Sequence, residues 1–204
     1  MPCSHYRRTW KLGGKTTKYV VLAELLLLKK DFLMKSFLLR CLGVGFLIMS
    51  ETSVASTGKM LLLETSQGQV EIKLLPDVAP NHVARITELA ESGFYDGIIF
   101  HRVIPGFMAQ TGDPTGTGMG GSGNTLDAEF SDYEYREGTV GMARSMSPNS
   151  ADSQFFICFD GCGHLTGQYT VWGQVENGME AVEKLAIGEP PAEPDQIISA
   201  KLVD

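Results

Sequence analysis

Residues 60–204 predict a mainly β domain, a closed or nearly closed sheet whose open ends are covered by two helices. Three observations carry this. The apolar runs are short and punctuated by Gly, Pro, Asp and Ser, only two stretches switch to a helical period, and there is no internal repeat or second core.

The elements follow in order. MLLLETS and QVEIKLL are brief runs parted by Gln67-Gly68, which reads as a hairpin. PNHVARITELAESG changes period: Val83, Ile86, Leu89 and Ala90 share one helical face, and Gly93 stands where a helix would stop. GIIFHRVI, GFMAQTG, GTVGMA, SQFFICF and QYTVWGQV supply the next strands. In GMEAVEKLAIG, Met179, Val182 and Leu185 fall three apart and Gly188 ends a second helix, after which IISAKLV makes the last strand.

Charge divides the chain in two. Residues 1–59 carry ten Lys or Arg against three Asp or Glu, and residues 60–204 carry seven against twenty-one, so the formal −7 splits into +7 and −14. The acidic body would be repelled by phosphate backbones, which argues against nucleic-acid binding. Residues 1–59 read as an N-terminal extension. From Met34, MKSFLLR gives a short basic start, CLGVGFLIM an apolar run too short to span a bilayer, and TSVAS small residues near Ala55, the order of a secretory signal. Export to a periplasm is therefore expected, the alternative being a cytoplasmic chain starting near Met60.

Several motifs are weighed and set aside. Gly116, Gly118 and Gly121 satisfy G-x-G-x-x-G, but the dinucleotide fingerprint needs a strand before it and a helix after it, and NTLDAEF follows. His101, Asp113 and Ser147 have the residue types of a hydrolase triad without a G-x-S-x-G elbow. The four cysteines lie at 3, 41, 158 and 162, with no CxxC and no Cys/His group at ligand spacing, so neither a metal site nor a disulfide framework is expected. Cys158 reads as a small buried hydrophobe and Cys162 as an oxidisable loop thiol.

FHRVIPGFMAQTGD is the stretch that carries chemistry. Arg102 stands upstream of Phe107, Met108 and Gln110, with no serine, cysteine or lysine among them. Arginine donates hydrogen bonds and charge but cannot serve as a base, while Phe and Met offer shape and apolar surface. Such a set binds, orients and polarises without breaking bonds.

That stretch, the Gly-rich loop, MARSMSPNSADSQFFI and QYTVWGQV resemble the cyclophilins, the cyclosporin-binding peptidyl-prolyl cis-trans isomerases, and especially bacterial members, from about Met60 to Val203. The resemblance implies a closed eight-stranded antiparallel β-barrel capped by two α-helices and rotation about X-Pro peptide bonds, assisting protein folding. It makes Arg102, Gln110 and Phe107 catalytic, with Arg102 directed at the prolyl nitrogen. Met108, Phe156 and Leu165 join Phe107 in a proline pocket. Ala143 and Arg144 form the edge along which the peptide lies, and Gln154 steadies Arg102. His164 and Tyr169 stand where many family members have tryptophan and histidine. Losing the indole predicts weak cyclosporin binding, whereas Tyr169 keeps an aromatic wall. No cofactor or metal is required. The expected partners are proline-containing peptides and unfolded or folding proteins, bound by a monomer without stable membrane insertion. The alternative is a proline-peptide-binding module or chaperone that does not turn over.

Overall fold

The computed structural model describes residues 59–203. The extension, its signal-like segment from Met34 and the question of the start site lie outside the described residues.

Eight strands, β1 (Met60–Thr65), β2 (Gly68–Leu74), β3 (Arg102–Ile104), β4 (Met108–Thr111), β5 (Thr139–Met142), β6 (Phe155–Cys158), β7 (Val171–Asn177) and β8 (Ile197–Val203), form one sheet in the order β3-β4-β6-β5-β7-β2-β1-β8. Every pairing is antiparallel. The edge strands β3 and β8 share no ladder. Isolated bridges, Ile99 with Gln196 and Val103 with Gly188, join the segments beside them. The closed barrel expected from sequence is thus a curled sheet with a lightly bridged seam.

Strand alternation builds the interior. Leu61, Leu63, Val70, Ile72, Val103, Ala109, Val140, Phe155 and Ile157 are buried in one cluster with Trp172. Tyr95 and Trp172 each meet the Phe155 ring edge-on, with centroids 5.5 and 5.4 Å away. Burial of each large apolar side chain contributes about 1.5–3 kcal/mol, so this interior is the main source of stability.

The first helix, α1 (Pro80–Glu91), packs His82, Val83, Ile86, Leu89 and Ala90 inward and contacts β7 and β8. Its N-cap, Ala79, has no side-chain acceptor. The distant Glu129 substitutes, accepting from the N–H groups of Asn81 and His82 at 3.1 and 3.0 Å and bonding His82 Nδ1 at 2.7 Å. At the other end Gly93 takes φ +72°, Phe94 N–H reaches the Leu89 carbonyl and Gly93 N–H that of Ala90, a Schellman ending.

Two expectations are corrected. The hairpin turn residues are Ser66 and Gln67, because Gly68 already pairs with Thr65. The second helix, α2 (Met179–Val182), is one turn long. Past it Lys184 and Leu185 bond carbonyls three residues back, and the Ala186 N–H is taken by Asp195. Leu185 is still buried, because the tighter turn keeps its i, i+3 spacing from Val182.

Candidate active site

The cross-strand register places the site. Arg102 lies opposite Gln110, Gln110 opposite Phe156, and Phe156 opposite Gly141, one row across β3, β4, β6 and β5. Ile104, Met108 and Cys158 form the next row on the same face, since side chains two apart along a strand point the same way. The intervening residues Val103, Ala109 and Ile157 point into the barrel. One face of these strands is core and the other is site.

On that outer face a cleft of about 140 Å³ is lined by Arg102, Phe107, Met108, Gln110, Ala143, Arg144, Phe156, Leu165 and Tyr169. Met108, Phe156 and Leu165 are buried, and Phe107, Ala143 and Tyr169 partly so, in a second apolar cluster. The rings brace one another. Tyr135 stacks on Phe156 at 5.8 Å, and Tyr169 meets Phe156 edge-on at 5.8 Å. Gly141 leaves room for this, because a Cβ there would overlap the Tyr135 hydroxyl and press on the Phe156 ring. Tyr135 and Gly141 were missed from sequence, the first because a lone tyrosine in a loop carries no pattern.

The polar groups are each tied to something. Gln110 Nε2 donates to Gln154 Oε1 at 2.9 Å, and Gln154 Nε2 donates to the carbonyls of Gly118 and Gly120 at 3.1 and 2.7 Å. Gln154 therefore steadies Gln110 and the Gly-rich loop. The expectation that it holds Arg102 is not met: its Oε1, the only side-chain atom that could accept from a guanidinium, accepts from Gln110 instead. Arg102 Nε donates instead to Glu189 Oε2 at 2.6 Å, a partner 87 residues away with no local sequence signal. Arg144 folds over Tyr169, 4.4 Å from its centroid, and donates to the Gln168 and Ser145 carbonyls. His164 does not line the cleft. It stacks on Phe107 at 5.5 Å and 26° in a 3₁₀ turn, Gly163–Leu165, backing the wall from outside.

The motifs set aside resolve structurally. No helix follows the Gly-rich loop. Its centre is the Asp113 carboxylate, which accepts from Thr115 N–H and hydroxyl and from the N–H groups of Gly118 and Gly120. Burial pushes this carboxyl up, but those four hydrogen bonds outweigh it and hold the pKa at about 2. An ionised carboxylate at this position is the opposite of a phosphate cradle. His101 is buried with both ring nitrogens unpartnered, so it makes no triad with Asp113 or Ser147, and burial pushes its pKa down. Cys158 and Cys162 are joined in a disulfide. This corrects the reading of two separate thiols: β6 ends at Cys158, and the chain turns back so that Cys162, four residues on, faces it. A second cavity of about 330 Å³, lined by the Gly-rich loop and Gln154, shares Gln110, Ala143 and Arg144 with the cleft. Among the described residues no three His, Cys, Asp or Glu side chains are grouped to hold a metal, and no helix is long and apolar enough to cross a membrane.

The cleft thus has an apolar floor and a cationic edge. The family model for cyclophilin type peptidyl-prolyl cis-trans isomerase/CLD matches residues 60–202. A probable peptidyl-prolyl cis-trans isomerase of Brucella suis biovar 1 (strain 1330) is 47% identical over 167 residues, 74% of this chain and 85% of its own length. Peptidyl-prolyl cis-trans isomerase B of Bacillus subtilis (strain 168) is 41% identical over 135 residues, 65% of this chain and 92% of its own. Among solved structures, a cyclophilin from Hirschia baltica aligns with a TM-score of 0.64 at 32% identity, covering 70% of this chain and 73% of its own. A Cryptosporidium parvum cyclophilin type peptidyl-prolyl cis-trans isomerase, crystallised in the presence of the dipeptide Ala-Pro, aligns at 0.67 and 31%, covering 71% and 99%.

Proposed function

The chain belongs to the cyclophilin-type peptidyl-prolyl cis-trans isomerases, and on that premise we propose that Arg102, Gln110 and Phe107 turn the X-Pro bond while Met108, Phe156 and Leu165 grip the ring. The observation that carries this reading is the convergence of all six on one cleft.

An X-Pro bond is a tertiary amide, cis and trans lying within about 0.5–1 kcal/mol but separated by a resonance barrier of about 18–20 kcal/mol. Rotation breaks no bond. As the C–N bond twists, conjugation is lost and the prolyl nitrogen regains a lone pair. A guanidinium N–H directed there interacts more strongly with the twisted than with the planar amide, which lowers the barrier. The aromatic floor excludes water and fixes the ring, so the preceding carbonyl is the part that swings. Gln110, held by Gln154, is placed to bond the substrate backbone, and Ala143 and Arg144 offer the edge along which it lies.

The clients on this reading are exported or newly made chains whose X-Pro isomerisation, about 10–100 s uncatalysed, limits folding. The enzyme acts as a monomer, and export of the mature form rests on the signal-like order after Met34. A mature N-terminus near Ser56 by mass spectrometry supports that compartment, and a retained segment contradicts it. His164, stacked on Phe107 in place of an indole, leaves cyclosporin binding weak. Sub-micromolar binding to the purified protein would refute it. The pocket itself is tested by titrating an Ala-Pro peptide into wild type and Phe156→Ala. The substitution is expected to weaken binding about tenfold or more. Equal affinities place the proline elsewhere.

A further inference from the structure

Arg102 donates a hydrogen bond to an acceptor outside the cleft, Glu189. We infer that Glu189 is a positioning residue for the isomerisation: by accepting from Arg102 Nε it turns the two Nη groups of the fork toward the X-Pro bond. The inference rests on the reading of Arg102 given above.

The backbone makes the contact a built one. Gly188, one residue before Glu189, exchanges two hydrogen bonds with Val103, one residue after Arg102, at 2.8 and 3.1 Å. This bridge is part of the seam between the sheet edges. It brings the two side chains off neighbouring positions of a paired backbone. The same segment is pinned on its other side by Asp195, which accepts from the Ala186 N–H, the Ser66 hydroxyl and the Gln67 side-chain amide. The carboxylate therefore rides on a clip fixed to both β3 and the first hairpin.

No other hydrogen bond to the guanidinium is made among the described side chains. Gln154 Oε1, an atom able to accept from a guanidinium, accepts from Gln110 Nε2 instead. A guanidinium has five N–H donors in a rigid plane, so fixing Nε fixes the direction of the remaining four. Arg102 and Glu189 are 38% and 54% exposed. Solvent at such a pair screens the carboxylate, so it orients the fork without cancelling the charge that faces the cleft. What is needed from Glu189 is then an acceptor at the right place more than a negative charge.

The test uses the full chain, measuring kcat and KM on an X-Pro peptide by exchange NMR, with thermal melts for each variant. Glu189→Ala is expected to lower kcat about five- to tenfold with KM within about twofold, the signature of a misdirected group that acts in the transition state. Glu189→Gln, which keeps the acceptor, is expected to restore kcat to within about twofold. With Arg102→Ala already in place, Glu189→Ala is expected to do nothing more. Wild-type kcat in Glu189→Ala beside a crippled Arg102→Ala overturns the inference and leaves the site reading standing, whereas wild-type kcat in Arg102→Ala removes the site reading itself. An equal loss in Glu189→Gln, or a further loss in the Arg102→Ala background, also overturns it.

Discussion

The two faces of β3, β4 and β6 share a backbone and differ in everything else. Inward, Val103, Ala109, Phe155 and Ile157 are at most 2% exposed and belong to the main apolar cluster. Outward, Arg102, Gln110, Met108 and Phe156 combine a buried floor with a charged, half-open edge. The strand period of two lets adjacent residues be chosen for separate purposes, volume on one side and chemistry on the other. Stability and turnover should therefore separate at single-residue resolution.

The sharpest way to break this comparison is to empty the inner face. Phe155→Ala removes the ring on which Tyr95 and Trp172 abut and is expected to cost about 3–5 kcal/mol in urea unfolding, while the fraction still folded isomerises at near wild-type kcat. Loss of kcat in the folded fraction would mean that the faces are not independent. A smaller effect is expected where the outer face is stapled. Cutting Cys158–Cys162 by Cys162→Ser opens a short loop, worth about 2 kcal/mol by the chain-entropy relation, and loosens the turn that carries Leu165 and His164. Unchanged melting in non-reducing buffer would contradict a formed disulfide.

The gentlest probe is pH. His101, pushed down by burial, contributes stability that is complete above its unfolded value of about 6.5 and lost as pH falls through its lower folded value. Asp113, held at about 2 against about 3.9 unfolded, contributes stability complete above about pH 4 and lost toward pH 2. Urea midpoints should accordingly fall in two stages on acidification. His101→Phe should remove the first stage alone, and a single stage near pH 4 in wild type would contradict the burial of a neutral imidazole.

Local signals carried much of this structure. Short apolar or alternating runs marked β1 and β2, and the period of Val83, Ile86 and Leu89 with Gly93 behind them marked α1, because each depends on residues close in sequence. The second helix was over-read from Met179, Val182 and Leu185, since a spacing of three serves an α-helix and a tightened turn alike. The cleft was assembled from FHRVIPGFMAQTGD and later stretches by family likeness, and nine of the eleven residues so named line it. His164 and Gln154 fell just outside, one behind Phe107 and the other behind Gln110, because neither stacking nor amide direction is written in spacing. The disulfide escaped because its spacing of four lies outside the familiar motifs and depends on how the chain leaves β6. Glu189 was invisible for a simpler reason: only the seam of the sheet brings it to Arg102.

The account stands on charge at one point of the cleft, so the most direct measurement is cis-to-trans relaxation of a short X-Pro peptide with wild type and Arg102→Ala, alongside peptide affinity and thermal melting. The prediction is a loss of about 10²–10³ in turnover, with affinity within severalfold and the melt unchanged, because a preorganised donor acts on the twisted amide and the fold does not depend on it. Undiminished turnover in Arg102→Ala, or no acceleration by wild type of a peptide it nonetheless binds, would contradict electrostatic assistance at this site.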